Sequence, residues 1–279
     1  MLVSLTGADD NTDLNKFHRL ALQSAFRTNP VIKNSGIVVE AGLLYYPEKM
    51  GFSRNPSTQT RNNILSQQRA AAHLCGREVF QLILQSRKSA AAGRHAQYLF
   101  NELNRYERIQ VNINARDSYF TEDEVHQVYW ELLINCGSAK LILQLHDGSM
   151  ETISRFLEII QSNNPPSHWA KIHYSITRVW MDRINILVDG SKGKGKSPES
   201  WEIDQKFRDV AGKLSFGMAG GLTPENVVDE VWRFINENGF IPDWVDAETG
   251  IRTENELDHE KCEQFVNELA AAQFTNHNL

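Results

Sequence analysis

The sequence is short of several things, and each shortage narrows what the chain can be. Its 279 residues hold only three cysteines, Cys75, Cys136 and Cys262. They stand far apart and form no CxxC pair, so neither a disulfide framework nor a zinc ribbon is indicated. No apolar run approaches the ~18 residues of a membrane span. The opening MLVSLTGADDNTD lacks the basic and apolar regions of a secretory leader. Positive charge is not in excess: the net charge is −6, and such a field does not draw a polyanion like DNA. No repeat of about 20–50 residues, low-complexity block or obvious linker divides the chain. These absences set a first group of expectations. They are a cytoplasmic protein, a single domain over 1–279 with a frayed tail at 270–279, no cofactor, no metal, no nucleic-acid or membrane partner, and a monomer or homodimer.

What is present points to a folded α/β chain. Hydrophobic residues make up 41% and charged residues 23%, a balance that excludes a disordered protein. Short apolar runs alternate with longer amphipathic stretches from end to end, the rhythm of βα units. The expected strands are Leu2–Leu5, Gly36–Tyr45, Val79–Leu84, Arg108–Asn112, Ala139–Leu145, Arg183–Val188, Leu214–Met218 and Trp244–Val245. Helical patterns lie between them. Asp13–Arg27 carries Leu14, Phe17, Leu20, Leu22 and Phe26, and Thr121–Leu133 opens with the capping box Thr121 and Glu124. Thr223-Pro224 puts a cap residue before proline at a first helical position, and a last helix covers about Asp258–Ala272. Eight strands, each followed by a helix, make a single (β/α)8 TIM barrel. Lys171–Thr177 reads either as an irregular insertion or as a strand displacing one of the early ones.

The last third carries most of the chemistry. RINILVDG ends in Asp189 and runs into the Gly- and Lys-rich SKGKGKSPESWEID. LSFGMAGGLTPENV passes through Gly220-Gly221, and PDWVDAETGIRT places Asp246 and Gly250 at the end of the last strand. Glycines after consecutive strands let backbone N–H groups approach a ligand, and in a barrel the loops after the last two strands commonly cradle phosphate. The competing reading is plain turn chemistry. Gly190–Ser197 also fits GxxxxGK[ST], the P-loop pattern, in which Lys196 would meet terminal phosphates and Ser197 Mg²⁺. Against it, Pro198 interrupts the helix that should begin there. The lysines Lys192, Lys194 and Lys196 otherwise form a basic flap over an anionic ligand, or a solvated loop.

These segments resemble the phosphoribosylanthranilate isomerase family, barrel enzymes of tryptophan biosynthesis. In that family a strand ending in Leu-Asp precedes a GGTG-type loop, then AGGL-xPENV, then VDVSSG-VE; here they read LVDG…GKGK, AGGLTPENV and VDAETGIRT. NELDHEKCEQFV resembles the closing helix, LILQLHDGS the QLHGDE strand end, and GLLYYPEKMGFSRNPS the GF-x-FYPKSPR segment with three extra residues before its Ser-Arg pair. The match is most specific in the C-terminal third, and Ser86–Asn104 and Asn163–Met181 have no clear counterpart.

The resemblance implies an Amadori rearrangement: an aminofuranose ring opens and a proton leaves carbon two to give an aminoketose. That needs a general acid and a general base. Asp189 takes the place of the family's acid; its competing role is capping a turn. The family's first strand reads Lys-Ile-Cys-Gly with the cysteine as base, whereas this chain has Ser4-Leu5-Thr6-Gly7. Thr6 therefore stands where the base should be, and a hydroxyl is too weakly acidic to replace a thiolate unaided. Asp9 and Asp10 in the same loop are candidate carboxylate bases, or caps of the helix near Asp13. For substrate binding, Arg54 matches the arginine that contacts the anthranilate carboxylate, Asp246 the aspartate before the phosphate-binding SSG, and His146 the QLH histidine, for which a structural hydrogen bond is an equal reading. The phosphate cradle would comprise Gly193, Gly195, Gly220, Gly221, Thr249 and Gly250, with Glu248 replacing a serine. Three function classes follow. They are an isomerase of this type acting on a phosphorylated small molecule, a phosphate-binding barrel with a lost or different reaction, and a P-loop nucleotide hydrolase.

Overall fold

A computed structural model describes the chain except at residues 26–34, 114–118, 147, 163–179, 192–195, 273 and 275–279. Eight strands close a parallel barrel in sequence order: β1 (Leu2–Thr6), β2 (Val38–Tyr45), β3 (Ala70–Leu74), β4 (Arg108–Val111), β5 (Lys140–Leu145), β6 (Ile184–Asp189), β7 (Ser215–Ala219) and β8 (Trp244–Ala247). The described helices are α1 (Leu14–Ala25), α2 (Thr58–Gln67), α3 (Arg77–Gln85), α4 (Ala90–Leu103), α5 (Glu122–Asn135), α6 (Met150–Gln161), α7 (Gln205–Ala211), α8 (Val227–Asn238) and α9 (His259–Ala271). A small antiparallel hairpin, β9 (Arg252–Thr253) with β10 (Glu256–Leu257), follows β8. The TIM barrel expected from the alternation of strand and helix is the observed fold. The possible strand at Lys171–Thr177 lies outside the described residues.

One expected strand is a helix. Val79–Leu84 belongs to α3, and the strand before it is the alanine-rich AAAHL of β3. In α3 the buried positions are Val79, Phe80, Ile83 and Leu84, a helical stripe rather than an every-second-residue face. Cys75 consequently follows directly on a strand. The helix after Gly221 also begins later than Thr223-Pro224 suggested. Its N-cap is Asn226, because the Asn226 side chain is taken up by the turn before it: Oδ1 accepts the Thr223 N–H at 2.7 Å and Nδ2 donates to the Gly221 carbonyl at 2.9 Å. The capping box at Thr121 and Glu124 forms as expected.

The chain forms two compact units. The first comprises 1–73, 188–202 and 216–279. Its core holds Leu5, Phe17, Leu43, Trp201, Phe234 and Trp244, all fully buried. Gly217 of β7 pairs with Trp244 of β8. A Cβ at Gly217 would fall 2.0 Å from the indole Cε2, so the glycine is the space into which the ring packs. The second unit comprises 74–187 and 203–215 and centres on Phe156, whose ring meets Tyr129 at 5.0 Å and Trp130 at 5.3 Å. Such edge-on pairs add about 0.5–1.5 kcal/mol each beyond the area they bury.

Candidate active site

The expected site residues of the first unit gather at strand C-termini. Asp189, the last residue of β6, is 5% exposed. Its Oδ1 accepts the Ser191 N–H at 3.0 Å and the Ser191 hydroxyl at 2.8 Å. Beside it runs the Gly220-Gly221 turn, with φ of 114° and 66°, a backbone that glycine alone adopts without strain. Both glycines are also required by crowding. A Cβ on Gly220 would lie 3.0 Å from Asp189 Oδ1 and 2.7 Å from Ser191 N, and one on Gly221 would lie 2.0 Å from Ser197 N. Ser197 is pinned to that turn, donating to the Gly221 carbonyl at 3.3 Å and accepting from Asn226 Nδ2 at 3.2 Å. Among the described residues, the backbone N–H groups of Gly220 and Gly221 donate to no protein acceptor. Gly193 and Gly195, with Lys192 and Lys194, lie outside the described residues.

The P-loop reading fails on the backbone. All of 196–204 is described, no helix begins there, and the next one starts only at Gln205. Without a helix opening at Lys196-Ser197, the helix dipole that a P-loop leads into is absent among the described residues.

After β8, Thr249 and Gly250 form a single 3₁₀ turn, Thr249–Ile251. A Cβ on Gly250 would lie 2.0 Å from the Leu222 carbonyl oxygen, so this turn and the β7 loop touch backbone to backbone. Glu248 does not face that junction as a lone charge: its Oε1 sits 3.2 Å from Arg54 Nη1.

At the end of β1, Thr6 is 1% exposed and donates its hydroxyl to Asp246 Oδ1 at 2.7 Å. His73 Nε2 lies 3.5 Å from Thr6 Oγ1. Thr6 pairs with Gly42, where a Cβ would stand 1.8 Å from Thr6 Oγ1 and 3.0 Å from His73 Nε2. Three side chains from β1, β3 and β8 thus meet over one bare residue of β2. Sequence reasoning found Thr6 and Asp246 but missed His73, because the strand carrying it was not recognised.

Asp9 and Asp10 are engaged elsewhere. Asp9 Oδ2 accepts the Arg54 N–H at 2.9 Å and pairs with buried Arg252 at 3.4 Å, while Oδ1 accepts the Asn11 N–H at 3.2 Å. Arg252 also donates to the Gly7 carbonyl at 2.6 Å and to the Asn255 carbonyl. Burial, with Arg54 nearby, depresses the Arg252 pKa from its usual value. Arg54 has φ of 67° and donates Nε to Asn255 Oδ1 at 2.8 Å. Arg54, Glu248, Asp9, Arg252 and Asn255 therefore form one network that ties the β1 and β2 loops to the β9–β10 hairpin. Asp10 Oδ1 accepts the Ser57 N–H at 2.9 Å. Its burial is opposed and outweighed by hydrogen bonds from Thr60 and Ser57, which leave its pKa below the ordinary value.

In the second unit, His146 follows β5 and organises its own loop. Its Nδ1 accepts the Gly148 N–H at 3.0 Å, and its N–H donates to Ser149 Oγ at 3.0 Å. Cys75 is half-buried, and its Sγ accepts from Asn112 Nδ2 at 3.7 Å. Burial pushes the thiols of Cys136, in the second unit, and Cys262, in the first, up to about 12, so neither supplies a thiolate near neutrality. Among the described residues no cluster of His, Cys, Asp or Glu has metal-binding geometry, and no helix is long and apolar enough to cross a membrane.

No protein-family model matches the chain. Two curated relatives do. The N-(5'-phosphoribosyl)anthranilate isomerase of Roseiflexus castenholzii is 31% identical over 104 residues, 34% of this chain and 44% of that protein. The enzyme of the same name from Methanothrix thermoacetophila is 29% identical over 90 residues, 32% of this chain and 40% of that protein. The chain resembles phosphoribosylanthranilate isomerases. It spans less than half the length of these relatives. Among solved structures, the N-(5'-phosphoribosyl)anthranilate isomerase of Pyrococcus furiosus is similar with a TM-score of 0.47 and 14% identity, over 96% of this chain and 98% of that one. KGPDC from Streptococcus mutans is similar with a TM-score of 0.45 and 11% identity, over 96% of each chain.

Proposed function

We propose that the protein is an isomerase of the phosphoribosylanthranilate type, carrying out an Amadori rearrangement of a phosphorylated aminosugar derivative. The observation that carries this reading is the buried Asp189 carboxyl at the end of β6, packed against the Gly220-Gly221 turn. An acid held beside two backbone N–H groups with no protein acceptor among the described residues suits a substrate with a ring oxygen to protonate and a phosphate to hold. Asp189 would give its proton to the ring oxygen. The turns at Gly220-Gly221 and Thr249-Gly250 would hold the phosphate, and Arg54 would meet a carboxylate at the far end. Tryptophan biosynthesis in the cytoplasm is the setting this chemistry fits, with a small phosphorylated molecule as the substrate.

The test is turnover of phosphoribosylanthranilate, followed by loss of its fluorescence, for the native chain and for Asp189→Asn. Turnover that falls by about 10²–10⁴-fold in the variant supports the reading, since that is the contribution of a positioned acid. A native chain that folds and leaves the substrate untouched overturns it.

A second reading, a sugar-phosphate-binding barrel with another reaction, is favoured by one observation. The Arg54 guanidinium already holds Glu248 and Asn255, so a substrate carboxylate would have to displace an internal one. Binding of ribose 5-phosphate without turnover of phosphoribosylanthranilate would select it.

A further inference from the structure

The isomerase reading leaves the proton acceptor unassigned, and the Thr6 hydroxyl shows where one stands. A threonine hydroxyl has one proton to give. Here it goes to Asp246 Oδ1 at 2.7 Å. His73 Nε2, 3.5 Å from Thr6 Oγ1, faces the lone pairs of that hydroxyl, and with its proton on Nε2 it is the donor in that contact. The result is a one-way chain from His73 through Thr6 that ends on a carboxylate oxygen. Of the three groups, Thr6 is too weakly acidic to serve as a base unaided, and His73 with its proton on Nε2 offers the junction no lone pair. Only Asp246, 8% exposed, presents basic electrons there.

Chain geometry explains how a carboxylate from β8 comes to serve the end of β1. The two strands are neighbours with Ser4 opposite Asp246, so Thr6 is the next residue of β1 pointing the same way. Gly42 completes the arrangement: a Cβ there would lie 1.8 Å from Thr6 Oγ1.

We propose that the Asp246 carboxylate is the general base of this site and that Thr6 is the residue that positions it. The proposal rests on the isomerase reading. Asp189 protonates the ring oxygen as the C–O bond breaks, and the nitrogen lone pair forms C=N⁺. Asp246 then takes the proton from carbon two; the C–H electrons become the C1=C2 bond and the C=N⁺ pair returns to nitrogen. Asp246 returns a proton to carbon one, and the enol hydroxyl returns one to Asp189 as the ketone forms. Both carboxyl groups end as they began, with no oxidant or cofactor consumed.

The experiment is steady-state kinetics of the full chain on phosphoribosylanthranilate. Asp246→Asn keeps the shape and removes the base, so kcat falls by about 10²–10⁴-fold with KM nearly unchanged. Thr6→Val keeps the bulk and removes the donor, and lowers kcat by about tenfold, while Thr6→Ser restores it; that rescue separates positioning from packing. Adding Thr6→Cys to Asp246→Asn places a thiol at the end of β1 and recovers about tenfold or more of the lost turnover, because a thiolate supplies a base where a hydroxyl does not. An active native chain whose folded Asp246→Asn variant keeps its kcat overturns this assignment and leaves the isomerase reading standing. A folded native chain with no turnover overturns both. Should Asp246→Asn not fold, equal kcat in Thr6→Val and Thr6→Ser overturns the proposal.

Discussion

Arg252 shows how much of this unit hangs on single side chains. Its guanidinium is 3% exposed and meets the equally buried Asp9 carboxylate. Burying two charges is costly, and the pair holds only because each also satisfies backbone groups. Arg252→Met leaves Asp9 buried and uncompensated, so urea unfolding should show a loss of about 3–5 kcal/mol; a loss below about 1 kcal/mol would contradict the network. Gly221→Ala meets a different obstacle. Its φ is 66° and the new methyl would meet the backbone of Lys196 and Ser197. The same assay should show a loss above about 1 kcal/mol, since alanine at positive φ costs more than the chain entropy it saves. Sequence pattern found Asp189, Gly220 and Gly221 because strand-end motifs are local. It did not find Arg252 or Asn255 in their roles, because an ion pair between Asp9 and a residue more than 240 positions away leaves no local trace.

At the scale of elements, the instructive case is β3. AAAHL carries little of the β-branched bulk that marks a strand, while VFQLIL in α3 has it in abundance. In a closed parallel barrel, small residues leave the room that neighbouring side chains need, as Gly42 does for Thr6 and His73. Strand and helix were therefore exchanged at that one point, and His73 was lost with the strand. Helix starts were legible where a side chain caps its own helix, as at Thr121 and Asp258. They were not legible at Thr223, where Asn226 serves the preceding turn. Asp258 caps α9 by accepting the Glu260 and Lys261 N–H groups at 3.0 and 3.2 Å. A hydrogen bond from Thr253 does most, with those N–H groups and against some burial, to hold its pKa below the ordinary 3.8. The stability a depressed carboxylate contributes is present above its unfolded pKa and is lost as pH falls through the folded one. Asp258→Ala should therefore cost about 1 kcal/mol near neutral pH. Thermal unfolding of wild type and variant should converge as the pH falls below about 3.8; a gap that stays constant would contradict the ionised cap.

At the scale of the whole molecule, eight strands in sequence order place Asp189, the Gly220-Gly221 turn, Asp246 and the Thr249–Ile251 turn at or just beyond the C-terminal ends of three consecutive strands. The fold was readable because strand–helix alternation is a global rhythm that survives one misplaced strand. The chemistry was less so, since it depends on which side chains from distant strands share a junction. If these turns hold phosphate, ribose 5-phosphate at about 100 times its dissociation constant should stabilise the native chain by about 2.7 kcal/mol. ATP with Mg²⁺ should do no better than its free phosphates, because no helix opens at Lys196. A large shift with ATP and none with ribose 5-phosphate would contradict the assignment.

The measurement that bears most directly on the central claim is the fate of phosphoribosylanthranilate mixed with the folded full chain, read by NMR of the products. The account predicts an isomer of unchanged mass, the aminoketose, formed faster than in buffer and about 10²–10⁴-fold more slowly with Asp189→Asn. Substrate left intact, or broken to free anthranilate and ribose 5-phosphate at the rate seen in buffer, would contradict it.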